Sequence, residues 1–599
     1  MNAITLVIIA ALVLTLAYRI YGSFMAAKVL VLDSERTTPA VRYNDGRDYV
    51  PTNKWITFGH HFAAIAGAGP LIGPVLAAQF GYLPGTIWLL IGAVLAGAVH
   101  DMVILFASIR HDGLSIAEIA KIEISKASGL ATSIGVLFIM IIAMAGLAIA
   151  IVNALYASPW GTFTVAATIP IAIFIGIYLR YLRPGKIGEA SFIGVILVLL
   201  GVFFGPAVQT SWLAPYLTFS RSQLSVILAI YGFIAAALPV WLLLAPRDYL
   251  SSYMKIGTIL ALAVGIIFVR PEIQMPAFTP FIYGGGPIIP GPVWPFLFIT
   301  IACGAVSGFH SLIASGTTPK MLNNEREIKL IGFGGMLIEC FVALMAFIAA
   351  TSLYPADYFA INSSAKVFAN LGMSINELPM LAQMVGEEIA DRPGGAVSLA
   401  VGMAHIFGKI PGMQSLLSFW YHFVIMFEAL FILTALDAGT RVGRYLLQEL
   451  GGRIYKPLKN PHWTPGTILT SGAISFAWGY LLYQGSIATI WPLFGVANQL
   501  LASMALAIGT TVLFRMGKRH YAWTTFIPLC FVAVTTIAAG YLNITTNYLP
   551  KDNYLLAGAS ALMIVLVVFV IGDAIRVWRK IITSENQTSA QQVAAESSK

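Results

Sequence analysis

Residues 55–82 read WITFGHHFAAIAGAGPLIGPVLAAQFGY, a run long and apolar enough to cross a bilayer, yet its middle holds Gly67, Ala68, Gly69 and Pro70, followed by Gly73 and Pro74. Glycine weakens a helix and proline removes a backbone donor, so the hydrogen-bond ladder is expected to fail in mid-span. Backbone groups freed at membrane depth persist only inside protein or beside a cavity, which makes such a break a pointer to a solute site. Ala66, Gly67, Ala68, Gly69, Pro70 and Gly73 are therefore the expected substrate-binding residues. The plainer alternative is close helix packing through Gly69 and Gly73, which stand four apart.

Outward from this stretch the chain stays apolar. Its 599 residues are 58% hydrophobic and only 10% charged, with a mean hydropathy of +0.82, which excludes an ordinary soluble domain and indicates a polytopic membrane protein. The net charge of +9 does not imply nucleic acid, because the basic residues fall in small groups between apolar spans. Cys303, Cys340 and Cys530 lie in apolar stretches without metal-ligand spacing and are expected to be buried. The longest polar connections, 22–54, 355–393 and 437–465, are too short for an independent soluble core.

The expected spans begin with an uncleaved helix at 4–21. Ten core spans follow at 55–82, 86–109, 130–152, 162–179, 190–208, 224–244, 256–269, 293–315, 330–354 and 416–436, and four more at 467–483, 487–514, 524–542 and 554–578. The 394–408 segment is short for a crossing and reads as re-entrant or interfacial. Lysine and arginine crowd alternate loops: Arg36, Arg42 and Lys54, then Lys121 and Lys126, then Arg180 and Lys186, and so on to Arg579 and Lys580. The opposite loops hold only Arg221, Arg270, Lys366, Arg392, Lys409 and Lys551. That asymmetry, kept to the C-terminus, fits fifteen crossings with the N-terminus outside and the C-terminus cytoplasmic. The tail at 581–599 is polar and expected to be disordered.

An odd number of crossings between two broken spans turns one upside down relative to the other, the signature of an inverted repeat. Core span six lies five crossings after the first and carries Pro239 in mid-span, with Trp241 just beyond, so it is the expected partner and both join the substrate-binding set. Core span eight reads ITIACGAVSGFHSLIASGTTPK; on a continuous helix Ser307, Ser311 and Ser315 form one stripe beside His310 and could replace the water around a sodium ion. Hydroxyls bonding back to their own helix, or Gly304 and Gly308 permitting close packing, account for the same pattern.

FGHHFAAIAGAGPLIGPVLAAQFGYLPG, GAVHDM, LPVWLLLAPRDYL and SGFHSLIASGTTPK together resemble the carbon starvation protein CstA family of bacterial membrane transporters, from about Gly46 to the four last spans. The resemblance implies an all-α membrane fold of the LeuT type: five helices repeated upside down, with the first and sixth core helices broken, plus one N-terminal and about four C-terminal helices. It divides the chain into an N-terminal helix and loop (1–54), a first repeat (55–208), a second repeat (209–436), additional C-terminal helices (437–580) and a tail (581–599). It also implies uptake of peptides and pyruvate during nutrient limitation across the inner membrane, driven by protons, with no cofactor. No partner beyond the solute and the bilayer is implied, and the oligomeric state stays open.

Ionisable residues inside a bilayer are costly and default to functional candidates. His60 and His61 point about 100° apart on a helix, so one is expected to face the cavity. His100 and Asp101 make a plausible protonatable pair, and Glu339 and Glu428 lie mid-span, either of them able to carry a proton or to pair with a histidine such as His422. Asp437 and Arg441, four apart at a helix end, are expected to pair with each other. His111, His462 and His520 fall in loops. The competing class, a membrane-embedded metal or haem enzyme, finds no H-E-x-x-H motif and no carboxylate–histidine pair at metal-ligand spacing on one helix.

Overall fold

Without water to satisfy it, backbone in a bilayer closes its own hydrogen bonds, and a chain this apolar does so as helices. A computed structural model describes residues 2–45, 49–183, 185–238, 242–452, 454–459 and 463–597, and among them the elements are helical, with no strand. Among the described residues nine helices are long and apolar enough to cross a membrane, ten if the bent pair at the first break counts as one span. Shorter apolar helices cover Ile187–Phe203, Arg221–Ala237, Met254–Val269 and Ala396–Gly408.

Contacts between helix ends sort into two sides, as alternating loops require. On one, Ala3 N donates to Pro271 O (2.9 Å), Tyr82 N to Pro276 O (3.0 Å) and Met275 N to Thr351 O (3.0 Å). On the other, Val50 N donates to Lys320 O (2.9 Å) and Arg110 grips Glu325 at 2.7 and 3.1 Å.

The first broken span behaves as its glycines and prolines dictate. Helix Lys54–Ile65, capped by the Asn53 side chain, stops at Ala66, and a second helix starts at Gly69 with a 46° bend between the two. Helix Arg221–Ala237 ends in extended backbone at Leu238, and the next helix runs without interruption over Leu244–Val269. Pro239 and Trp241 lie outside the described residues. Core span eight opens as well: its helix Val293–Thr300 ends at Ile301, 301–308 is unwound, and helix Phe309–Ala314 resumes. Gly304 sits there at φ +87°, a conformation that costs glycine least. This span lies seven crossings after the first, so the two breaks still run in opposite directions.

Two further expectations change. The tail at 581–599, expected to be disordered, continues the last helix, Tyr554–Ser597, through Glu-, Gln- and Ala-rich sequence that favours helix. Cys303 and Cys340 are buried, but Cys530 is exposed on the rim of the bundle.

Candidate functional site

The two breaks face each other. A Cβ at Gly69 would stand 2.5 Å from Cys303 Sγ, and one at Gly73 would stand 2.6 Å from Thr300 O. Of the expected substrate residues, Ala66, Ala68, Gly69, Pro70 and Gly73 are buried in that contact, while Gly67 keeps some exposure. Nothing lies within 4 Å of a Cβ at Gly67 or at Gly59. His60, Ala63, Ala64 and Gly67 are the accessible positions leading up to the break. The packing alternative thus describes Gly69 and Gly73, and open space borders Gly67.

Unwinding 301–308 frees backbone groups, and a helix from the C-terminal part of the chain meets them. Helix Ile487–Arg515 is buried almost throughout its length. Its Gln499 Nε2 donates to Phe298 O (2.8 Å) and its Trp491 Nε1 to Thr300 O (3.3 Å). Asn498 Oδ1 accepts from Phe309 N (2.8 Å), capping the half-helix that follows the break, while its Nδ2 donates to Cys303 Sγ (3.3 Å) and Ser307 Oγ (3.2 Å). Gly308 permits this approach: a Cβ there would stand 2.2 Å from Asn498 O. Sequence reasoning passed over Asn498 because an amide in an apolar run carries no signal until its partner is known to be unwound.

The same unwinding dissolves the serine stripe. Ser307 belongs to the irregular segment, Ser311 Oγ donates back to Gly308 O (2.6 Å), and Ser315 Oγ donates to Ser311 O (2.6 Å) while accepting from Ile116 N (3.0 Å). Ser307 Oγ is held by the Asn498 side chain, so the three hydroxyls no longer line one face of a continuous helix.

His310 instead joins a buried line of ionisable groups. His100 Nδ1 lies 2.7 Å from Asp101 Oδ1, Asp101 Oδ2 lies 2.8 Å from His310 Nδ1, and His310 Nε2 lies 3.1 Å from Glu339 Oε2. All four side chains are fully buried and come from three spans. The Nδ1 contact is a hydrogen bond, whereas Nε2 and both Glu339 oxygens make none among the described residues, so His310 stands bonded to one carboxylate and beside a second that has room for a proton. His60 and His61 bond to threonines: His60 Nε2 is 3.2 Å from Thr317 Oγ1 and His61 Nδ1 is 2.8 Å from Thr318 Oγ1. Of the pair, it is His60 that faces accessible space.

Glu428 is fully buried with neither carboxylate oxygen hydrogen-bonded. The partner expected for it, His422, goes to Glu387 (3.1 Å) and stacks on Trp160. Asp437 likewise leaves Arg441: it pairs with Arg247 (3.3 Å) and accepts from Tyr231 Oη (2.7 Å), and Arg441 caps the end of Arg221–Ala237 through Ala235 O and Leu238 O. Arg247 and Lys255, assigned by sequence to a loop, are both buried in helix Leu244–Val269. Lys255 Nζ donates to Ala63 O (2.8 Å), two residues before the first half-helix ends. Among the described residues no three or more His, Cys, Asp or Glu are disposed to hold a metal ion.

Comparison with known proteins agrees with the resemblance read from the motifs. A protein from Bacillus subtilis (strain 168) named "Peptide transporter CstA" is 54% identical over 583 residues, covering 96% of this chain and 97% of its own length. The "Pyruvate/proton symporter BtsT" of Escherichia coli (strain K12) is 44% identical over 667 residues, covering 98% and 93%. A crystal structure of the Eremococcus coleocola manganese transporter aligns over 90% of this chain at 12% identity and a TM-score of 0.43, too distant to carry an argument. Residues 2–539 match the family described as "Carbon starvation protein CstA", and the chain belongs to that family.

Proposed function

We propose that this chain is a proton-coupled secondary transporter, not an enzyme, which brings short peptides, pyruvate or both inward across the bacterial inner membrane when carbon is scarce. The observation that carries the reading is the buried line His100, Asp101, His310 and Glu339, attached to the second break and sealed from lipid. The names of the two relatives, one a peptide transporter and the other a pyruvate/proton symporter, support the substrate class and the coupling ion. Two opposed broken spans in contact support an inverted repeat of the LeuT kind, its second break in 301–308, with the solute entering beside Gly67 and one group of helices rocking against the other. The basic residues of alternate loops support an outside N-terminus and a cytoplasmic C-terminus.

Uptake of labelled pyruvate and of labelled dipeptides into proteoliposomes, under separately imposed proton and sodium gradients, tests the reading. Accumulation that follows the proton gradient and ignores sodium is expected; accumulation with sodium alone overturns the coupling.

A further inference from the structure

Helix Leu244–Val269 carries Arg247, Ser251 and Lys255 at four-residue intervals and Thr258 three residues on, so the four share one face. All are buried, with relative exposures of 0, 1, 4 and 4%. One face of a membrane helix with two buried cations and two hydroxyls is costly unless something polar is held there. At the inner end Arg247 is engaged by Asp437 and by Thr168 Oγ1 at 2.9 Å. At the other end Lys255 reaches the first break: its Nζ donates to Ala63 O and lies 4.3 Å from the Phe431 ring centroid. Ala63 O is a carbonyl that the broken helix cannot use, because Gly67 N turns to Ile65 O instead. One turn from Lys255, the buried Ser251 Oγ has no hydrogen-bond partner among the described residues.

We propose that Ser251 and Lys255, together with the break at Ala63–Gly67, form the seat for a carboxylate group of the transported solute. The ammonium and the hydroxyl are two donors on one face of the helix, each able to bond an oxygen of a carboxylate. Space for the remainder of the solute lies along Gly59, Ala63 and Gly67, where Gly59 and Gly67 have nothing within 4 Å of a Cβ. A 2-keto acid and the C-terminus of a short peptide present the same group, so one seat serves both. On binding, the Lys255 hydrogen bond to Ala63 O is exchanged for one to the solute, which releases the carbonyl at the break and couples occupancy to its geometry. This assignment rests on the transporter reading above and adds the group of the solute that is recognised.

The test compares wild type, Lys255→Met, Lys255→Arg and Ser251→Ala in proteoliposomes. Labelled pyruvate and Ala-Ala are the substrates; pyruvamide and the C-terminal amide of Ala-Ala compete. Wild type is expected to prefer each acid over its amide by at least about 10-fold, the value of one charge-assisted hydrogen bond. Lys255→Met should raise KM about 10-fold or more and abolish that preference, Lys255→Arg should keep most of it, and Ser251→Ala should raise KM by roughly 3-fold. A purely structural lysine would lower stability without touching the acid-to-amide ratio, so an inserted Lys255→Met with unchanged KM and ratio overturns the seat. Should Lys255→Met fail to insert, Ser251→Leu, which fills the seat, decides: an unchanged KM overturns it. Should wild type take up neither probe, the transporter reading fails by itself, and the seat is judged by thermal stabilisation of detergent-solubilised protein by millimolar pyruvate. A shift lost in the Ser251 and Lys255 variants supports the seat, and no shift overturns it.

Discussion

His310 is the residue on which the proposed relay turns, because it approaches a carboxylate on each side, Asp101 at 2.8 Å and Glu339 at 3.1 Å. Removing one partner of a buried charge pair leaves the other stranded, at a cost of about 3–5 kcal/mol. Glu339→Gln keeps the shape and removes the second proton position, so proton-driven accumulation in proteoliposomes should fall at least about 10-fold while exchange of labelled for unlabelled solute persists. Equal loss of both would assign Glu339 to solute binding instead. The adjacent pair His100 and Asp101 was legible in the sequence, since neighbouring residues need no fold to meet. The link to Glu339, 238 positions from Asp101, was not, and neither was the departure of His422 to Glu387, because both depend on how spans are placed side by side. Gly69 shows the same limit. It reads as cavity lining, yet its missing side chain makes room for Cys303. Gly69→Ala should therefore destabilise the protein by roughly 1–3 kcal/mol through overpacking, visible as a lower melting temperature, whereas a variant at Gly67, where space is open, should spare stability.

Among the elements, helix Ile487–Arg515 has the role least expected from its place in the chain. The sequence sets it among additional helices after a ten-span core, but its Trp491, Asn498 and Gln499 supply hydrogen bonds to the ends of the unwound segment 301–308. The segment is held against this helix, so the element is part of the core in every physical sense. Asn498→Leu removes the cap on Phe309 N and the donors to Cys303 and Ser307 together. In a background of Cys340→Ala and Cys530→Ser, maleimide labelling of Cys303 should then quicken by about 10-fold, since roughly 1–1.5 kcal/mol of hydrogen bonding no longer holds the segment closed. An unchanged labelling rate would mean that other packing fixes 301–308. The first break was readable because glycine and proline coincide there. The second, 301–308, contains only Gly304 and Gly308, which read equally as packing glycines.

Across the whole molecule, charge sorts by side and binds the ends of distant spans. At one end of the bundle, His111 Nε2 lies 2.7 Å from Glu123 Oε1, and Arg515 at the end of Ile487–Arg515 lies 3.0 Å from Glu123 Oε2 and donates to Glu123 O at 2.9 and 3.1 Å. This latch joins the second core span, the short helix Ile116–Glu123 and the helix that supports the second break. The Glu123 hydrogen bond holds the His111 imidazole above its ordinary value of 6.5, against the opposing effect of burial. A group whose value is raised by folding favours the folded state fully below its unfolded value, and loses that contribution as pH rises through the raised one. The latch is therefore closed most firmly below about pH 6.5 and weakens as the surrounding solution becomes alkaline. His111→Ala should lower thermal stability at pH 6 by something under about 1 kcal/mol once solvent screening is allowed for, with the difference from wild type fading by pH 9. Glu123→Gln should lose stability at both pH values, because the Arg515 contact to its carboxylate goes with it. Melting curves of the three proteins at the two pH values separate the cases: a His111→Ala deficit that persists undiminished at pH 9 would place the contribution in packing and leave the latch insensitive to protons.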